Sequence, residues 1–177
     1  MIHPLLAAGI ALFPAGAAGD FQFRHHFISL ELPIGENGGG DYGLTALADL
    51  DRDGDLDFVL GGRFVKPARL YWFEFQAPDR WVQHLAGKDY LSDVGLAPLD
   101  VDGDGWLDLV ASGVWYRNPQ KPREAEFDRR AFDPDAAGAH DIVARDLDRD
   151  GRTDVVLMGD EKTKLNGVDV PTFPTFI

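Results

Sequence analysis

The chain of 177 residues contains no cysteine, so no disulfide braces it and no thiolate serves as nucleophile or soft-metal ligand. The usual hydrolase anchors are missing too, since it has neither a Gly-x-Ser-x-Gly elbow nor a His-Glu-x-x-His pair. Basic residues are few, 17 Lys and Arg against 30 Asp and Glu, and a formal charge of -13 speaks against nucleic acid, whose binders carry basic patches. No apolar run, the opening one to Phe13 included, is long enough to span a bilayer as a helix.

Aspartate is plentiful, and its placement is regular. The pattern Asp-x-Asp-x-Asp-Gly-x-x-Asp occupies residues 49–57, 100–108 and 146–154. Alternate carboxylates on a tightly turned loop converge on one point, as a hard cation with about 6 to 8 oxygen ligands requires, and the glycine permits the sharp turn. The first loop offers Asp49, Asp51, Asp53 and Asp57 with the carbonyl of Asp55. The second offers Asp100, Asp102, Asp104 and Asp108 with the carbonyl of Trp106, and the third Asp146, Asp148, Asp150 and Asp154 with that of Arg152. The expected cofactor is Ca²⁺, at three sites. Asp-Gly clusters also make ordinary hairpin turns, but one register kept three times points to a metal. An EF-hand is excluded because its bidentate Glu at position 12 is replaced by Leu60, Ala111 and Leu157.

The loops account for thirteen carboxylates, so the acidity is mostly site chemistry, and three Ca²⁺ would bring the formal charge to -7. Self-repulsion among them opposes folding without metal.

Residues 1–19 read as a secretory signal, an apolar run to Phe13 followed by small residues 15–19, with cleavage near Ala17 or Gly19. Its first residues carry His3 but no Lys or Arg, and a buried N-terminal segment is the alternative. Secretion and calcium agree, because external modules use sites of about 10⁻⁴ to 10⁻³ M that would stay empty in cytosol. The expected location is extracellular or periplasmic.

The loops begin 51 and 46 residues apart, a spacing that fits a propeller blade or solenoid unit. Each repeat shows a strand before its loop (44–48, 94–99, 141–145) and a β-rich strand after it (56–60, 107–110, 153–157). An aromatic third strand (70–75, 114–117) and a fourth opening on Trp81 or Phe127 follow in the first two repeats. Four antiparallel strands per repeat describe an all-β propeller of four-stranded blades over residues 20–177. Residues 21–32 read as one more fourth strand, and Gly35–Gly40 as an insertion before the first loop.

With its Asp loops and the segment Trp115-Tyr116-Arg117-Asn118-Pro119, the chain resembles the FG-GAP or VCBS-type calcium-binding propeller repeats of integrin α-subunit heads and secreted microbial proteins. The resemblance covers roughly residues 20–160 and implies fold more securely than activity. About two and a half to three blades are legible, fewer than the four to eight of a closed ring. The third stops after its second strand near Met158, and prolines 171 and 174 stand where a ladder strand belongs. A piece of a longer protein, or self-association through open sheet edges, is expected.

Three functional readings follow. In the first, calcium is structural and the protein is a binding or scaffold module, with carbohydrate or protein as its ligand. The second is a piece of a secreted carbohydrate-active lyase or dehydratase, because the resemblance implies a site at the propeller channel. Its candidate catalytic residues are His140 and Asp141, with Asp41, Tyr42, Asp93 and His140 as channel ligands; a His capping a strand end is the plainer reading of His140. The third is cell adhesion, by analogy with integrin heads. His25, His26 and His84 read as surface or blade-edge packing.

Overall fold

The computed structural model describes residues 23–32, 42–63, 65, 67–90, 92, 94–133, 136 and 138–159, with the backbone of three short strands after them. Residues 1–19, the glycines at 35–40, Asp41 and Asp93 lie outside the described residues, so the expectations placed on them have no structural counterpart.

Every regular element described is a strand. In the first blade β1 (Tyr42–Ala48), β2 (Asp57–Gly62), β3 (Arg69–Ala77) and β4 (Arg80–Lys88) pair antiparallel in chain order. The second repeats this with β5 (Ala97–Leu99), β6 (Asp108–Ala111), β7 (Val114–Arg117) and β8 (Asp128–Ala131). In the third, β9 (Ala139–Arg145) pairs with β10 (Asp154–Gly159). The strand positions follow the sequence reading, and each Asp loop joins the first strand of a blade to its second. Among the described residues the blades do not close a ring, and no helix is long and apolar enough to cross a membrane.

Two expectations need correction. The third blade does not stop at its second strand: Pro174–Phe176 pairs with β10, Pro174 opposite Met158 and Phe176 opposite Val156. A proline is tolerated there because the strand forms the sheet edge, where one missing N–H breaks no central ladder. The pairs Lys164–Leu165 and Val168–Asp169 make a separate two-stranded sheet.

The second correction concerns residues 23–32, which form no strand. Their apolar side chains Ile28 and Leu32 pack instead against Leu60, Tyr71 and Phe73 on one face of the first blade. The segment is fastened at Asp79 in the β3–β4 turn, where Oδ1 accepts Phe27 N–H at 2.8 Å and Oδ2 meets His26 Nδ1 at 3.1 Å. Without the segment Tyr71 and Phe73 would face water, and burial of a large apolar side chain contributes about 1.5 to 3 kcal/mol.

Strand alternation explains why β3 is buried along most of its length. Tyr71 and Phe73 point toward residues 28 and 32, while Leu70 and Trp72 point into the main core between the first and second blades. That core takes Leu44, Leu50 and Val59 from one blade and Leu109, Val114 and Tyr116 from the other. Approach across it is close: a Cβ on Gly87 would lie 2.4 Å from the Tyr116 ring, whose hydroxyl donates to the Lys88 carbonyl at 2.5 Å. The first strands of successive blades adjoin, β1 beside β5 and β5 beside β9, and a Cβ on Gly95 would lie 2.7 Å from Ile142 Cγ1.

Candidate metal centres

Each Asp loop closes on itself with the same bonds. The first Asp accepts the N–H of the loop glycine through Oδ2: Asp49 from Gly54 at 3.2 Å, Asp100 from Gly105 at 2.9 Å and Asp146 from Gly151 at 3.0 Å. The fifth-position Asp accepts the N–H two residues on, as Asp53 does from Asp55, Asp104 from Trp106 and Asp150 from Arg152. These glycines have φ of 98°, 87° and 89°, a left-handed backbone that suits a residue without Cβ. The fourth position is left-handed as well, at 62° for Arg52, 73° for Gly103 and 65° for Arg149, a feature the motif does not announce.

The ninth-position Asp links the loop to the sheet. Asp57, 1% exposed, accepts Leu50 N–H at 3.1 Å through one oxygen and Phe75 N–H at 3.1 Å through the other. Asp108, 0% exposed, accepts Val101 N–H at 2.9 Å and Asn118 N–H at 2.7 Å. In the third loop Asp154 accepts Leu147 N–H at 2.9 Å. One carboxylate thus joins the loop to the strand after it and, in the first two blades, to the third strand or its end.

Carboxylate oxygens of Asp49, Asp51 and Asp53 gather within 4.8 Å of one another, as do those of Asp100, Asp102 and Asp108, and of Asp146, Asp148 and Asp154. Asp57, Asp104 and Asp150 do not join the oxygen cluster of their loop. Burial supplies the test of fit: Asp49 Oδ1, Asp55 Oδ1 and Asp100 Oδ1 are out of contact with water and have no hydrogen-bond partner. Such an atom costs about 1 to 3 kcal/mol unless something satisfies it, and three converging carboxylates with spare lone pairs suit a hard divalent cation. The electrostatics agree. Burial pushes Asp57 up to about 7 despite its two N–H donors, and burial is also the largest cause raising Asp51, Asp55 and Asp108. Asp104 is held low by the Trp106 N–H and Gln120, and Asp150 by Arg152.

Several neighbours carry no signal in the motif. Asn118, fully buried, donates from Nδ2 to the carbonyls of Leu50 at 2.9 Å and Leu107 at 3.1 Å, so it holds the first two loops to each other. The Arg52 guanidinium of the first loop lies 5.0 Å from the ring centre of Trp106 in the second, a cation–π contact. Arg117 meets Asp102 at 2.5 Å and Asp104 at 2.6 Å, and Arg123 meets Asp51 at 2.6 Å and Asp53 at 2.8 Å.

The channel candidates are less organised. His140 and Asp141 stand on β9, half exposed, and Nδ1 of the one meets Oδ2 of the other at 3.0 Å. Tyr42 opens β1, and burial foremost raises its pKa. His84 is more engaged than a surface residue: it stacks on Trp72 with 4.4 Å between ring centres and meets Glu74 at 2.9 Å.

Searches of curated proteins and of solved structures returned no match. The family model described as FG-GAP-like repeat matches twice, over residues 49–111 and over residues 100–157, each match running from one Asp loop through the next. With three loops in one register and most of the chain spanned by those matches, this protein belongs to the FG-GAP-like repeat family.

Proposed function

We propose that the protein is a secreted calcium-binding propeller module in which calcium is structural and the blades form a scaffold for a carbohydrate or protein ligand. The observation that carries this reading is the set of three carboxylate clusters, with buried oxygens of Asp49 and Asp100 lacking any partner. Asp49, Asp51 and Asp53 would hold the first ion, Asp100, Asp102 and Asp108 the second, and Asp146, Asp148 and Asp154 the third. A bound cation supplies the positive charge that offsets crowded carboxylates. The loop bonds already set the carboxylates in place, so little ordering opposes binding. The apolar residues 1–13 and the small residues after them support export, where millimolar calcium fills weak sites.

The test is a calcium titration of the full chain, followed by heat release and far-ultraviolet circular dichroism with chelator reversal. Uptake of about three ions is expected, with each site adding about 1.4 kcal/mol at ten times its dissociation constant. No uptake at millimolar calcium overturns the reading.

A further inference from the structure

We propose that Arg123 is a resident counter-ion of the first loop that an entering divalent cation displaces, with Glu74 as the carboxylate that retains the guanidinium; this rests on the calcium reading above. The first loop is the most acidic of the three. It alone places a carboxylate at position 7, Asp55, where the others have Trp106 and Arg152, and Glu74 of β3 stands beside it, 7% exposed. One guanidinium nitrogen of Arg123 lies 2.6 Å from Asp51 Oδ2, 2.8 Å from Asp53 Oδ2 and 3.0 Å from Glu74 Oε1.

Two of those carboxylates belong to the oxygen cluster of the loop. A cation drawing oxygens to about 2.4 Å needs the same lone pairs and repels the guanidinium, so both cannot hold Asp51 and Asp53 together. Glu74 is differently placed. Its Oε2 is held by His84 at 2.9 Å, which anchors it on β3 outside the loop while Oε1 still faces Arg123. A displaced guanidinium therefore keeps one strong partner, and charge-assisted bonds of this kind are the stronger class.

An exchange that reaches across the blade seam is confined to the first loop. Arg117 at the second loop also holds a clustered carboxylate, Asp102, but it comes from that loop's own blade, on β7, and Arg152 at the third pairs with Asp150, which is not in that cluster. Arg123 reaches from the β7–β8 connection of the second blade to the first, so filling the first loop narrows that tie across the blade seam from three carboxylates to Glu74 alone, while Asp51 and Asp53 turn to ligation inside one blade. The third loop, with no guanidinium on its clustered oxygens among the described residues, fills first and the first loop later.

The experiment is calorimetric calcium titration of the full-length wild type, R123Q, R123K and E74Q, with D51N to identify the first-loop site. R123Q is expected to tighten that site roughly tenfold, R123K to tighten it less because a point charge holds the two carboxylates less well, and E74Q to weaken it. Charge alone also gives opposite shifts in R123Q and E74Q, so R123K, which keeps the charge but loosens the hold on the two carboxylates, is the deciding variant: tightening there marks exchange, and a first-loop site unmoved in R123K overturns it. Weakening in both R123Q and E74Q, as a merely structural bridge gives, or no change in either, overturns the proposal. Should R123Q fail to fold without calcium, R123K and E74Q carry the same opposed expectation. No calcium uptake by the wild type overturns the calcium reading and this inference together, whereas three wild-type sites unmoved by R123Q overturn the inference alone.

Discussion

Asn118 Nδ2 donates to the backbone carbonyl of Leu50 across the seam between the first two blades, at 2.9 Å, with both groups buried. The same nitrogen reaches Leu107, while Oδ1 accepts Gln120 N–H, so one amide satisfies two loops and its own turn. Asn118→Ala leaves two carbonyls and one N–H without a partner and is expected to destabilise the fold by about 3 kcal/mol. Denaturant unfolding followed by tryptophan fluorescence checks this; a loss below about 1 kcal/mol would show that the seam does not depend on the amide.

The ninth-position carboxylate and the third-position one are expected to separate by their calcium dependence. Asp108→Asn turns an amide group toward one of the two backbone N–H donors and should cost about 2 to 3 kcal/mol even in chelator, and more in calcium because Asp108 is also one of the clustered carboxylates. Asp102, which accepts no backbone N–H in the second loop among the bonds described, should matter mainly for ion uptake. Thermal scans of D108N and D102N in chelator and in calcium distinguish the two.

The raised carboxylates give the ion-free protein an unusual pH slope. Asp57 has a folded pKa of about 7 against 3.8 for the free side chain, and Asp51, Asp55 and Asp108 are raised in the same sense by burial. A carboxylate raised on folding binds more protons in the native state, so its stabilising contribution is full below about pH 4 and is lost as pH rises toward 7. Asp79, Asp104 and Asp150, held low, act oppositely, but the buried groups set the net direction. In chelator the unfolding midpoint should therefore fall by about 5 °C or more between pH 5 and pH 8. Saturating calcium, which favours the ionised form, should flatten or reverse that fall.

Arg149 occupies a left-handed backbone position, φ 65°, that the second loop fills with Gly103 at 73°. Arg149→Gly is expected to stabilise the protein by up to about 1 kcal/mol, since the Cβ strain disappears. At Gly87 the reverse holds: the Cβ of G87A would meet the Tyr116 ring at 2.4 Å and should cost about 1 to 3 kcal/mol by forcing the seam apart. Paired unfolding curves of R149G and G87A check both signs.

What was legible in the sequence was local. Alternation around each Asp loop located β1 and β2, β5 and β6, β9 and β10, because a turn and the strands it joins are specified within about fifteen residues. The clusters at Asp49, Asp100 and Asp146 were legible for the same reason. What was not legible depends on contacts between distant segments. Residues 23–32 alternate as a strand would, yet they serve as a cover because Tyr71 and Phe73, some forty residues on, offer a face to pack on. The roles of Asn118, Glu74 and Arg123 exist only once the second blade lies against the first. Pro174 argued against a strand, but a sheet edge removes that objection.

The cover formed by residues 23–32 bears on the order in which the chain acquires structure. Its anchor at Asp79 and its packing on Leu60, Tyr71 and Phe73 all lie within residues 23–90, so one face of the first blade is sealed by chain made before that blade. The opposite face, with Leu44, Val59, Leu70 and Trp72, packs against residues made after it, among them Leu96, Leu109, Val114, Tyr116 and Phe127. During synthesis from the N-terminus the first blade therefore passes through a stage with one dry face and one wet face, and each later blade becomes the solvent shield of the one before. Assembly in this molecule has a direction, and it runs with the chain.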